Sequence, residues 1–90
     1  MSSARAYARD NASAFRSQLL DLIRIPSIST DPARAGDVKR AAEWLVTEMK
    51  RIGVENAELI ETAGHPSVSG ERPGAGPDAR TVLVYGHYDV

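Results

Sequence analysis

The feature that most constrains the fold is an unbroken apolar run, Val82, Leu83, Val84 and Tyr85, followed at once by Gly86, His87, Tyr88 and Asp89. A strand with one face in water alternates apolar and polar residues, whereas a strand covered on both faces need not. The run therefore predicts a strand from Thr81 to Tyr85 buried in the middle of a helix-covered sheet, and so an α/β fold. Side chains two apart on a strand share a face. His87 and Asp89 are thus expected to project together from its carboxyl end, where open α/β sheets gather their ligands.

The segments upstream suit that class. Phe15, Leu19, Leu22 and Ile23 form the stripe of an amphipathic helix, with Asp10 or Asn11 as its cap and an end near Arg24 imposed by Pro26. Val38, Ala42, Leu45, Met49 and Ile52 recur at helical spacing and predict a second helix, capped by Asp37 and closed by Gly53. "VENAELIET" then predicts a short strand, "HPSVSGE" a second one through Val68, and "RPGAGPDAR" an exposed turn. Ser27, Ser29 and Thr30 read as turn formers, His65 as a loop histidine beside Pro66, and Trp44 as a packing residue. Lys39 and Glu43 are an i, i+4 pair on the solvated face of the second helix.

Composition narrows the chemistry. Eleven Lys and Arg against twelve Asp and Glu, interspersed, give a net charge of -1 and no basic stripe for a nucleic acid or membrane partner. The absence of cysteine removes disulfides, thiolate nucleophiles and thiolate-bound zinc, so a metal here falls to His, Asp or Glu. No apolar run approaches the roughly 20 residues that span a bilayer, and no signal-peptide core is present, which makes a cytoplasmic location the expectation.

His87 and Asp89 then suit metal binding or general-base catalysis. A ligating imidazole uses one nitrogen and commonly donates its other N–H to a carboxylate, a part Asp89 fits. Two other readings stand beside this one. His87 can be a strand-end histidine satisfied by backbone carbonyls, or the His-Asp half of a nucleophile triad, although no serine has an elbow context.

"VLVYGHYDV", preceded by "LLDLIRIPSIST", by "AAEWLVTEMKRIGVENAELIET" and by "GHPSVSGE", resembles the dinuclear zinc carnosinase-type dipeptidases. Their wider family includes acetylornithine deacetylase and succinyl-diaminopimelate desuccinylase. The resemblance implies the N-terminal portion, two helices and then strands, of a zinc-peptidase catalytic domain with a mostly parallel sheet covered by helices. Residues 1–90 would be that fragment, with 1–12 a loose tail or an extension of the first helix, and the rest of the catalytic domain and the lid and dimerisation domain lying outside it. It implies His87 as a zinc ligand and Asp89 as the active-site aspartate that orients it.

The implied reaction is hydrolysis of a peptide or N-acyl amide bond through a water bridging two zinc ions, with manganese or cobalt as substitutes. The implied partners are a small peptide or N-acyl amino acid and, for the whole enzyme, a second copy of itself. The remaining ligands and the general base would lie beyond Val90, so the 90 residues alone are expected to be inactive. The competing expectation is a non-catalytic interaction module or a remnant of such an enzyme.

Overall fold

The longest helix organises the chain because its small residues let its neighbours approach closely. In the computed structural model, which describes residues 2–74 and 76–90, the elements are helix α1 (Ser2–Asp10), helix α2 (Ala12–Ile23), helix α3 (Ala35–Arg51), strand β1 (Glu55–Ile60) and strand β2 (Ser67–Glu71). A single 3-10 turn, Pro32–Arg34, leads into α3. Val38, Ala41 and Ala42 on one face of α3 are the buried apolar residues. Leu45, Met49 and Trp44 are half-buried along the same helix.

α3 begins earlier than Asp37, the expected cap. Asp31 caps the 3-10 turn instead, its carboxylate accepting from the Ala33 amide at 3.0 Å, and the chain passes directly from that turn into α3. Asp37 lies in the first turn of α3, where its charge suits the positive helix end and meets Arg34 at 3.1 Å and Arg40 at 2.9 Å. At the other end Gly53 does close the helix, with φ of 91° in the region that glycine enters without strain. Lys39 does not pair with Glu43. It reaches Glu61 at 3.8 Å, because the link after β1 passes beside that turn of the helix.

α2 occupies its expected place, and 2–10 are a further helix ahead of it. Asn11 sits at the N-cap of α2, yet its side chain turns back and donates to the Tyr7 carbonyl at 2.9 Å, closing α1 instead of opening α2. Tyr7 and Phe15 stack across the junction with ring centroids 5.9 Å apart. The apolar stripe of α2 is uncovered: none of its residues is buried.

β1 and β2 pair antiparallel, with Leu59 opposite Val68 and Ile60 opposite Ser67, and their half-buried side chains face α3. The expected order of helices followed by strands is observed, and the described unit is α/β. The expected parallel pairing is not seen among the described residues. The link 61–66 is too short for the crossover of about a dozen residues that parallel strands require, so β1 and β2 form a hairpin. An irregularity between Glu55 and Glu58 accommodates Asn56 at φ of 53°, a conformation asparagine tolerates better than most residues.

The largest departure is Thr81 to Tyr85. These residues belong to no strand, and Val82, Leu83, Val84 and Tyr85 are 82%, 90%, 88% and 81% exposed. A strand apolar on both faces requires a neighbour for its backbone and a layer above and below. Among the described residues no helix or strand covers the run, and α3 packs against the hairpin instead.

Gly70 explains how closely that hairpin can lie on α3. A Cβ there would stand 2.6 Å from both Met49 Cε and Val54 Cγ1, while one at Gly36 would meet nothing within 4 Å. Gly70→Ala is expected to lower stability in urea unfolding by about 1–3 kcal/mol through overpacking. Gly36→Ala should raise it by about 0.5 kcal/mol through reduced unfolded-state entropy. The exposed run invites edge pairing between copies, so Val82→Lys with Leu83→Lys should abolish concentration-dependent association in sedimentation and leave helix content unchanged.

Candidate functional site

The residues after the exposed run return to the body of the protein through hydrogen bonds to two loops. Ser27 is fully buried. Its hydroxyl donates to the Tyr88 carbonyl at 3.2 Å, and its own carbonyl accepts from the Val90 amide at 3.0 Å. Ser29 donates its hydroxyl to Asp89 Oδ2 at 2.7 Å. The Tyr88 hydroxyl donates to the Pro66 carbonyl at 2.5 Å, and burial, reinforced by the nearby Asp89 charge, raises its pKa and keeps that proton in place.

These contacts close one side of a cleft of about 660 Å³. Val38, Leu45 and Met49 of α3 contribute to its lining, as do Ser29, His65 and the segment from Val84 to Asp89. His87 and Asp89 lie together at this cleft, as their spacing predicts. His87 Nδ1 is 3.5 Å from Asp89 Oδ1, and the Tyr85 hydroxyl is 3.3 Å from His87 Nε2. The Tyr85 and His87 rings meet edge to face, with centroids 5.5 Å apart. The His87 side chain is 73% exposed, so a ligand can reach the ring without displacing protein.

Charge is organised around Asp89. The Ser29 hydrogen bond is the main reason its carboxyl sits below the usual carboxylate range, with smaller contributions from its own amide and from His87 working against desolvation. An ionised carboxylate beside Nδ1 favours the proton on that nitrogen and leaves the Nε2 lone pair to accept from the Tyr85 hydroxyl or, in its place, to bind a metal.

The donor set suits a metal in part. His87 Nε2 provides one imidazole position backed by a carboxylate, but among the described residues no group of three or more His, Cys, Asp or Glu is placed to hold an ion. A catalytic zinc takes about three protein ligands.

Three residues at the cleft have contacts that the sequence did not disclose. Ser27 and Ser29 are anchors as well as turn residues, and no signal in the sequence marked their distant partners. His65 donates Nε2–H to the Ser29 carbonyl at 2.8 Å, which brings it to the same cleft. Its carbonyl accepts from the Thr62 hydroxyl at 2.6 Å, so the loop holding it is internally tied.

Comparison with known proteins adds a relationship to this geometry. Over 87 residues the chain is 36% identical to the Cys-Gly metallodipeptidase DUG1 of Candida albicans, and over 87 residues 30% identical to the protein of the same name in Saccharomyces cerevisiae. Each match covers 84% of this chain. Both relatives are metallodipeptidases by name, and the similarity extends over most of this chain. It spans 18% of the length of those two relatives. No protein-family model matches the chain, and no solved structure does. No described helix is long and apolar enough to cross a membrane.

Because Asp89 has a lowered pKa in the folded chain, its carboxylate contributes stability above the unfolded carboxylate value, and that contribution is lost as pH falls through the folded value. Ser29→Ala removes the largest cause. Carboxyl-carbon NMR titration should then show Asp89 protonating at higher pH than in the parent chain. An unchanged midpoint would mean that the Ser29 bond does not set it.

Proposed function

We propose that residues 1–90 are the amino-terminal part of the catalytic domain of a metal-dependent dipeptidase that hydrolyses a peptide or N-acyl amide bond. The observation that carries this reading is His87 at an open cleft with Asp89 against Nδ1, in a chain similar to two Cys-Gly metallodipeptidases. The motif resemblance supports the carnosinase-type branch, with acetylornithine deacetylase and succinyl-diaminopimelate desuccinylase as wider kin. Zinc, two ions per site, is the proposed metal, with manganese or cobalt able to replace it. The proposed partners are a small peptide or N-acyl amino acid and a second copy of the whole enzyme.

In this reading His87 would hold the metal through Nε2, and Asp89 would keep the imidazole proton on Nδ1. A bound metal would supply Lewis acidity toward the scissile carbonyl and make water a nucleophile at neutral pH. The ring of His87 is exposed and only the Tyr85 hydroxyl stands against Nε2, so a metal would take the place of that hydroxyl, while the apolar residues of α3 offer a surface for a substrate side chain. The other ligands and the general base belong to residues outside this chain, which spans 18% of the two relatives.

Exposure of Val82 to Tyr85 supports this reading over a non-catalytic module, because those apolar faces call for further layers of structure. The test is to purify the product of the whole gene, measure its zinc content and assay Cys-Gly hydrolysis. Metal binding and turnover are expected. Asp89→Ala should weaken metal affinity by about 10–100-fold and His87→Ala by more. Residues 1–90 alone should show no turnover. A whole-gene product that neither binds metal nor cleaves dipeptides would overturn the proposal, as would full activity from the His87→Ala protein.

A further inference from the structure

Ser29 touches both arms of the cleft. Its hydroxyl donates to Asp89 Oδ2 at 2.7 Å, and its carbonyl accepts from His65 Nε2 at 2.8 Å. Asp89 Oδ1, the other oxygen of the same carboxylate, is the one facing His87 Nδ1 at 3.5 Å. The carboxylate is therefore held at one oxygen by Ser29 and presents the other to the histidine. Its other partners are its own amide and the exposed His87 ring, and the Ser29 bond is the largest influence on the carboxylate.

The backbone contacts locate Ser29 as firmly as it locates Asp89. Ser27, two residues earlier, is fully buried and bonded to Tyr88 and Val90 on either side of Asp89. The main chain of 27–29 thus lies along the main chain of 88–90, with the Ser29 hydroxyl directed at the carboxylate. His65 bonding to the Ser29 carbonyl ties the third segment of the cleft to that alignment.

We infer that Ser29 is a positioning residue: by holding Asp89 Oδ2 it turns Oδ1 toward His87 and selects the imidazole tautomer with the proton on Nδ1, so that Nε2 is the nitrogen offered to a ligand. The inference deepens the proposed function and rests on it for the identity of that ligand. The tautomer itself is a property of the metal-free chain. A charge-assisted hydrogen bond from a hydroxyl to a carboxylate is among the stronger polar contacts, and here it acts on a group whose only other task is to orient a ring.

The test compares Ser29→Thr with Ser29→Val, residues of nearly the same shape that differ by the hydroxyl. Tyr88→Phe serves as a control that loosens the same segment at Pro66 without touching Asp89. Ring-nitrogen NMR of the metal-free 90-residue chain, at a pH about two units above the ordinary histidine pKa of about 6.5, reads the tautomer of His87 directly. The parent chain, Ser29→Thr and Tyr88→Phe should all hold the Nδ1–H form in excess. Ser29→Val should shift the ratio toward Nε2–H by several-fold.

Equal ratios in Ser29→Thr and Ser29→Val would overturn the inference, and so would a Tyr88→Phe shift as large as that of Ser29→Val, which would assign the effect to docking of the segment. Zinc titration of the whole-gene product separates this outcome from the dipeptidase reading. Absence of binding by the parent protein removes the metal from the argument while the tautomer result stands.

Discussion

The candidate site exists because the main chain of residues 88–90 is fastened to the loop after α2. The buried Ser27 bonds to Tyr88 and Val90, Ser29 bonds to Asp89, and the Tyr88 hydroxyl reaches Pro66 on the other side. No sheet holds this segment, since Thr81 to Tyr85 are unpaired. Without these few polar contacts His87 and Asp89 would sit on a free arm. Buried hydroxyls are costly unless satisfied, and Ser27 is satisfied only when the segment is docked, which makes the alignment specific.

The apolar side of the structure is sparse. Val38, Ala41 and Ala42 of α3 are buried, while most of the α2 stripe and the 82–85 run remain exposed. Folding stability is a small difference between large terms, and a chain of this size can bury only about 60% of its unfolded surface. Close approach compensates in part. The alanines of α3 and the missing side chain at Gly70 let the hairpin lie directly on the helix, so few residues provide the contact that exists.

Asp89 carries two tasks that pull in the same direction. Hydrogen bonds from Ser29 and from its own amide keep it ionised, and an ionised carboxylate is what orients the His87 imidazole. By contrast, the Glu48–Arg51 pair, at 2.7 Å and also favourable to the ionised forms, joins two residues of the last turns of α3 and supports only that helix.

The sequence by itself determined the elements whose cause is local. Helical spacing marked α2 and α3, Pro26 and Gly53 marked their ends, and alternation marked β1, because dihedral preferences and periodicity act over a few residues. It also put His87 and Asp89 on one side of the chain, which needs only an extended backbone. Where a rule depended on a distant neighbour, only the tertiary structure decided. Asp37 lost the cap to a turn begun at Asp31, and Lys39 found Glu61 across the fold. The run from Val82 to Tyr85 was apolar enough for a buried strand but found no layers to bury it. Ser27, Ser29 and His65 read as turn and loop residues until the fold brought together residues 36 to 61 positions apart, since hydrogen-bond partners at such separations leave no periodic trace in the chain.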